Sequence, residues 1–459
     1  MAQIRDKSAL FEEMSVRKAL AAMAIPTIIS QLINLIYNIV DAFFIGRTGN
    51  PYMTAATTLS WTLVMLNTAL SNLYGVGGGS LFARLMGAHQ DEEAKRASAF
   101  TICCGVATAL LYSLILAVTM RPLLTFLGAS EATIGYAEQY TFIVLVIGSL
   151  PTLLSAVLAH LIRNAGYSTQ ASFGLSGGGL LNMVLDPLLM FVILPKGYEV
   201  VGAALATLIS NTAACGYLLF VYRRSQTLSL KLRDAKAASG ESRKQLFAVG
   251  IPSAMLTGLF DLANICVNML SSAHSDLVLA GMGITMKVER VPTAVNLGIC
   301  HGAMPIIAYN YSSGNRERMR KVISTARLWG LIVSAAAIVL FELFAGGVTR
   351  IFMNTRTGEA ALETIAFATL FLRIRCLASP FQFLNYHTSY SLQAVGNGRA
   401  TILHAVVREL VFYIPLMFLL DRFFGEVGLA SALLVGEGCG AVFALWLLTR
   451  SLKKTESGA

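Results

Sequence analysis

Carboxylates set inside apolar stretches are the residues of this 459-residue chain whose types and spacing could do chemistry. Asp41 closes the run Asn38-Ile39-Val40-Asp41, about four helical turns beyond Pro26. Asn182 and Asp186 lie four residues apart, so a helix presents their oxygens on one face. Pro187 follows directly, and a proline inside a helix frees the carbonyl four residues earlier, which adds an acceptor beside the pair. Thr207 could bring a hydroxyl to the same pocket, and Asn34 and Asn38 add amide oxygens one turn apart. An ionised carboxylate at the bilayer centre costs about 2.5–3.5 kcal/mol even on the mildest scale, so each acid needs a reason. Two carboxylates held close cannot both stay ionised without help: one takes a proton, or a cation sits between them. These residues predict a cation- or proton-coupling site at Asp41, Asp186, Asn182, Thr207, Asn38 and Asn34, with Pro26 and Pro187 as hinges. The plainer alternative is that each acid closes a helix junction by hydrogen bonding.

The elements that must position them are membrane helices. The chain is 55% hydrophobic and 13% charged with mean hydropathy +0.65, whereas soluble domains carry roughly 25% charged residues. Thr101 to Met120, Tyr140 to Ala159, Gly330 to Phe344 and Leu429 to Leu448 are continuously apolar, which excludes the alternating segments of a β-barrel. The pattern predicts an all-α polytopic membrane protein with twelve spans, near 18–44, 52–83, 97–119, 133–158, 164–190, 198–222, 246–270, 276–306, 322–346, 360–388, 400–420 and 427–449. With both termini cytoplasmic, the inside loops hold roughly 24 of the 35 Lys and Arg, which places the chain as a multi-pass protein of the inner (plasma) membrane. The net charge of +10 then reflects basic loops facing anionic lipid heads, not nucleic-acid binding. Seven cysteines all fall in spans without metal or redox spacing and read as small packing residues. His160, His301, His387 and His404 lack zinc-type spacing and read as polar packing residues.

Matching motifs recur at a nearly constant offset. Pro26 matches Pro252 and Val201-Gly202 matches Val427-Gly428, both 226 residues apart; Gly87 matches Gly314 at 227 and Pro151 matches Pro380 at 229. An even number of spans per repeat gives the halves one orientation, so two six-helix bundles are expected about a pseudo-two-fold axis along the membrane normal. The expected division is an N-lobe at 1–222, a charged cytoplasmic linker at 223–245 and a C-lobe at 246–459. The frame repeats but the site does not, since Asp41 displaced by 226 falls on Val267.

Tyr37-Asn38-Ile39-Val40-Asp41 followed by Phe44-Ile45-Gly46-Arg47 resembles the first-span signature of multidrug and toxic compound extrusion (MATE) transporters. Gly77 to Ser80 with Arg84 and Gly87, Asn182 to Pro187, Val201-Gly202-Ala203-Ala204 and the Gly314 segment resemble further MATE elements in order. The resemblance is closer to the DinF/MepA-like branch than to the NorM type. It implies a secondary active antiporter that exports organic, often cationic, drugs and dyes in exchange for Na⁺ or H⁺, working as a monomer among membrane lipids. Asp41, Asn182, Asp186 and Thr207 fall at positions resembling the amino-lobe ion site of that branch. Asp261 resembles the seventh-span acid of the NorM type, whose tenth-span counterpart here is Asn385; with Glu289 and Arg290 these form a candidate C-lobe network for substrate or charge neutralisation. No cofactor is expected, and no metal beyond a Na⁺ that Asp41 and Asp186 could hold. The rival within the same superfamily is a lipid-linked precursor flippase. A membrane-embedded enzyme or ATP-driven pump is disfavoured, because no HExxH, nucleophile elbow or Walker motif occurs.

Overall fold

The computed structural model describes residues 8–351 and 359–456, and helices dominate throughout. A short helix, Ser8–Glu12, precedes the first span, Val16–Arg47. The second span is Pro51–Gly87 and the third Asp91–Phe126. The fourth joins Glu131–Thr141, a π-turn at Phe142–Ile147 and Ser149–Asn164; the fifth joins Ser168–Leu188 and a π-turn at Leu189–Ile193. Glu199–Arg224 is the sixth, Gly240–His274 the seventh, Asp276–Ser312 the eighth and Arg316–Arg350 the ninth. The tenth pairs Glu359–Cys376 with Ser379–Ala394. The eleventh begins at Gly398–Val406, passes a π-turn at Val407–Tyr413 and continues into Ile414–Glu456. Gly425, at φ 59° and ψ −144°, breaks that last helix and separates the eleventh span from the twelfth.

Eight of the described helices are long and apolar enough to cross a membrane, and the fourth-span pair, bent by 49°, makes a ninth. The break at Gly425 divides one of these into two crossings. Pro51–Gly87 and the tenth-span pair have the length but are more polar; within Pro51–Gly87, Tyr74 to Arg84 forms an unbroken buried run. Among the described residues, these elements make twelve helical spans. Helices of 32 to 37 residues are about 48–55 Å long, so they overrun a hydrocarbon core of about 30 Å. Hydropathy therefore sees less of each span than the helix contains. The tenth span, expected as one run over 360–388, is broken at Leu377 and Ala378, just before Pro380 at the start of its second segment. At Pro26 the first span continues unbroken, whereas Pro187 is followed by a π-turn.

The first six spans form one bundle and the last six another. The seventh span lies against the second and the eighth against the first. An axis exchanging the first span with the seventh and the second with the eighth maps one contact onto the other. Glycines mark both. A Cβ on Gly77 would sit 2.9 Å from Gly250 Cα, and one on Gly302 would sit 2.6 Å from Ala24 Cα; Ala24 and Gly250 are 226 residues apart. The seam is thus backbone against backbone. Ser80 Oγ donates to the Gln393 carbonyl at 2.6 Å, and Asn72 Nδ2 donates to Thr257 Oγ1 at 3.0 Å. On the first span the contact at Ala24 lies 17 residues, about 26 Å of helix, from Asp41.

On that terminal face the turns carry left-handed residues at repeated places, Gly166 (φ 88°) and Gly396 (φ 79°) after the fourth and tenth spans. Phe11 stacks on Tyr309 with ring centroids 5.0 Å apart, and Arg318 donates to the carbonyls of Phe11 (2.6 Å) and Met14 (2.5 Å), so the segment before the first span is tied to the second bundle. Between the bundles, the helix Leu232–Ala237 leads into Ser239, whose N–H donates to Glu93 Oε1 at 2.9 Å; Ser242 Oγ donates to the same oxygen at 2.6 Å.

Candidate ion-coupling site

Small residues bring the first, fifth and sixth spans together. A Cβ on Gly179 would meet Ile33 at 3.4 Å and Asn34 Oδ1 and Tyr37 at 3.7 Å; one on Gly178 would meet Ala214 at 3.0 Å and the Ser210 carbonyl at 3.2 Å. The fifth span is therefore wedged between its neighbours, and Asn182 and Asp186 follow within two turns. Both are buried, Asp186 completely. Asn182 lies within 3.4 Å of both Asp186 Oδ1 and Thr207 Oγ1 through Nδ2. With its amide turned to complementary partners, Nδ2 donates to Asp186 Oδ2 at 3.1 Å and Oδ1 accepts from the Thr207 backbone N–H at 3.2 Å.

Asp41 enters the same field. Its charge acts on Asp186, and both carboxylates act on the hydroxyls of Tyr37 and Tyr140. Tyr140 lies in the same group, beside Thr207 and the two acids. Asp41 Oδ1 is buried and accepts no hydrogen bond. A buried carboxylate oxygen without a donor is costly unless a proton or cation serves it. Asn38 turns its Nδ2 back onto the Asn34 carbonyl at 2.6 Å, one turn below Asp41, which leaves only its amide oxygen free of that bond. The structure thus joins Asn182, Asp186 and Thr207 directly, with Asp41 in their electrostatic reach and Asn34 and Asn38 on the same helix as Asp41. Sequence reasoning missed Tyr140. The available signal was a tyrosine deep in an apolar span, whose hydroxyl needs a partner once buried.

The second bundle is arranged differently from the single network expected of Asp261, Glu289, Arg290 and Asn385. Asp261 feels the charge of Arg290. Glu289 instead accepts from Arg375, Nε at 2.8 Å and Nη2 at 3.0 Å, with the Tyr413 ring nearby. Asn385 faces the twelfth span. Its Nδ2 donates to Glu437 Oε2 at 2.6 Å, and its Oδ1 meets His404 Nε2 at 3.0 Å. Asn385 is therefore no tenth-span partner for Asp261; the expected group splits three ways, because each guanidinium claims its own carboxylate. Arg408, the largest fully buried side chain, grips Glu437 with Nε at 3.0 Å from Oε2 and Nη2 at 2.5 Å from Oε1. His160 occupies space left by Gly75 and lies 5.4 Å, ring to ring, from His301 across the seam, in a packing role. The seven cysteines are all unpaired.

The comparisons with known proteins follow this architecture. Multidrug export protein MepA of Staphylococcus saprophyticus is 27% identical over 442 residues, covering 95% of this chain and 94% of that one. Its counterpart in Staphylococcus aureus strain MRSA252 is 29% identical over 443 residues with the same coverage. Among solved structures, an outward-facing multidrug resistance MATE family transporter of the MOP superfamily superposes with TM-score 0.92 at 21% identity, over 100% of both chains. A MOP superfamily transporter from Pyrococcus furiosus, described by a binding pocket of reversed polarity, gives 0.91 at 21% identity, over 99% of this chain and 100% of that one. The MatE family model matches twice, at residues 26–188 and 252–419, with starts separated by the same 226 residues as the internal repeat. Matched over more than half its length and along both bundles, the chain belongs to the MatE family, the MATE transporters that its first-span motif resembles.

Proposed function

We propose that this protein exports organic, often cationic, drugs and dyes across the inner (plasma) membrane by alternating access, in exchange for a monovalent cation entering the Asp41–Asp186 pocket. Both chain ends are cytoplasmic in this reading, so the glycine seam closes the inner side and the conformation opens outward. Asp41 Oδ1, buried without a donor and within the field of the fully buried Asp186, is the observation that carries it. A proton suits this donor set better than Na⁺. Asn182 already donates through Nδ2 to Asp186 and accepts through Oδ1 from the Thr207 N–H, so its oxygen is taken up and not open to a metal ion. Protonation removes the repulsion between the carboxylates and lets the first and fifth spans draw together about Pro26 and Pro187, which shrinks the N-lobe cavity and expels substrate. Ion and substrate then exclude one another.

The test is dye efflux from proteoliposomes under separately imposed H⁺ and Na⁺ gradients, comparing wild type with Asp41→Asn and Asp186→Asn. Efflux driven by the H⁺ gradient and lost in both variants is expected. Efflux that follows Na⁺ at clamped pH would replace the proton with Na⁺, and unaltered, gradient-independent efflux in Asp41→Asn would sink the coupling site. Turnover of a lipid-linked precursor without dye efflux would favour the flippase.

A further inference from the structure

The three π-turns of the described chain are each associated with buried polar groups: Tyr140 just before Phe142–Ile147, Asp186 just before Leu189–Ile193, and Arg408 and Glu409 inside Val407–Tyr413. The first two serve the ion-coupling pocket. The third belongs to a cluster that this mechanism leaves unused.

In that cluster Glu289, Arg375, Arg408, Glu409 and Glu437 bring two guanidinium groups against three carboxylates. Arg375 is matched by Glu289 and Arg408 by Glu437, each through two N–H···O bonds. Asn385 adds a third donor to Glu437. Glu409 is the surplus acid. It is 1% exposed, and both of its oxygens are buried with no hydrogen-bond donor. Its Oε1 lies 3.5 Å from Arg408 Nε, whose proton already points at Glu437 Oε2 at 3.0 Å. The other titratable groups that act on it or feel it are Glu437 on the twelfth span, Tyr386 on the tenth and Tyr413 one turn along. The seventh span also packs against this turn and contributes no charge that acts on Glu409 among the described residues.

An ionised carboxylate so placed would be stripped of water, without a donor, and next to a second carboxylate. A metal ion is not the remedy, because the adjacent guanidinium repels it and the Glu437 oxygens are already engaged. A proton is. We propose that Glu409 is a proton-binding carboxyl of the second lobe, uncharged in this conformation and separate from the Asp41–Asp186 pocket. Arg408 Nη1 is buried without an acceptor and Arg408 Nε lies 3.5 Å from Glu409 Oε1, so the guanidinium keeps an unused donor beside the carboxylate that forms once a change of conformation admits water to take the proton. The site can therefore be loaded and emptied. Arg408 and Glu409 share one π-turn, so a local change in its winding would move both groups together.

Infrared difference spectroscopy tests this on the full chain in lipid nanodiscs, with Asp41→Asn and Asp186→Asn installed to silence the first lobe. At neutral pH the carbonyl stretch of a buried, protonated carboxyl is expected, and Glu409→Gln should remove it. Glu437→Gln should remove the same band, because an unpartnered Arg408 would draw the proton off Glu409. A spectrum unchanged by Glu409→Gln would overturn the proposal, whatever the state of the first-lobe site. If Glu409→Gln does not accumulate as a folded protein, Glu409→Asp substitutes for it: the band shifts in frequency if the proton is there, and an unshifted band would refute it.

Discussion

Gly302→Ala tests whether the backbone seam holds the two lobes in this arrangement. The added Cβ would lie 2.6 Å from both Ala24 Cα and Ala24 N, whereas an ordinary contact begins at 3.4 Å. The lobes must part there by about 0.8 Å, because a backbone atom has no rotamer to swing aside. Overpacking of this kind costs about 1–3 kcal/mol, which moves a two-state equilibrium by roughly 5- to 150-fold. The assay is disulfide cross-linking between Asn72→Cys and Thr257→Cys, whose native side chains meet at 3.0 Å across the seam, in a chain whose seven cysteines have been replaced. Cross-linking should fall steeply with Gly302→Ala. Gly283→Ala on the same helix is the control, since its Cβ would meet nothing within 4 Å. A monodisperse Gly302→Ala protein that cross-links as fully as its parent would refute the reasoning.

Arg408→Met leaves Glu437 buried without its guanidinium and should lower stability by about 3–5 kcal/mol, read by thermal unfolding in detergent; adding Glu437→Leu should recover most of the loss. Equal losses in the single and double variants would mean that the pair is not coupled. Thr207→Val removes the hydroxyl that lies 3.4 Å from Asn182 Nδ2 and, if the proposed exchange holds, should weaken ion binding by about 1–2 kcal/mol, roughly tenfold in the H⁺ concentration that half-saturates efflux. An unmoved half-saturation point would exclude Thr207 from the site. Arg318→Ala removes the donor that ties Phe11 and Met14, so amide hydrogen exchange should rise across residues 10–14 while the core of the eighth span stays protected; unchanged exchange would show that Phe11 stacking suffices.

Acids in apolar runs are conspicuous, so Asp41, Asn182 and Asp186 were legible in the sequence, and helical spacing correctly set the last two on one face. The doubled frame was legible too, because glycines and prolines mark turns and close approaches that side-chain chemistry does not blur. Partner choice was not. Asn385, Glu289 and Arg290 sit on the right helices for a single network, yet which carboxylate each guanidinium takes depends on how the tenth, eleventh and twelfth spans are rotated against one another. Helical period alone leaves that rotation open. The π-turns shift the period by part of a turn at Phe142, Leu189 and Val407, which further hides the neighbours of Tyr140 and Glu409. The run Gly75 to Gly79 signalled close packing, but not that Gly75 receives His160, Gly77 the other lobe, Gly78 Thr101 and Gly79 Asn164.

A seam whose nearest approaches are glycine against main chain has a kinetic consequence. When lobes joined by long side chains separate, each of those chains regains its rotamers and must be frozen again on closure, at up to about 2 kcal/mol apiece. Ala24, Gly77, Gly250 and Gly302 have no such freedom to lose. If this seam opens during transport, it can reopen and reseal with little entropic toll. Under the proposed exchange, turnover should then be governed by how fast the carboxylates load and release their ion, with the seam following.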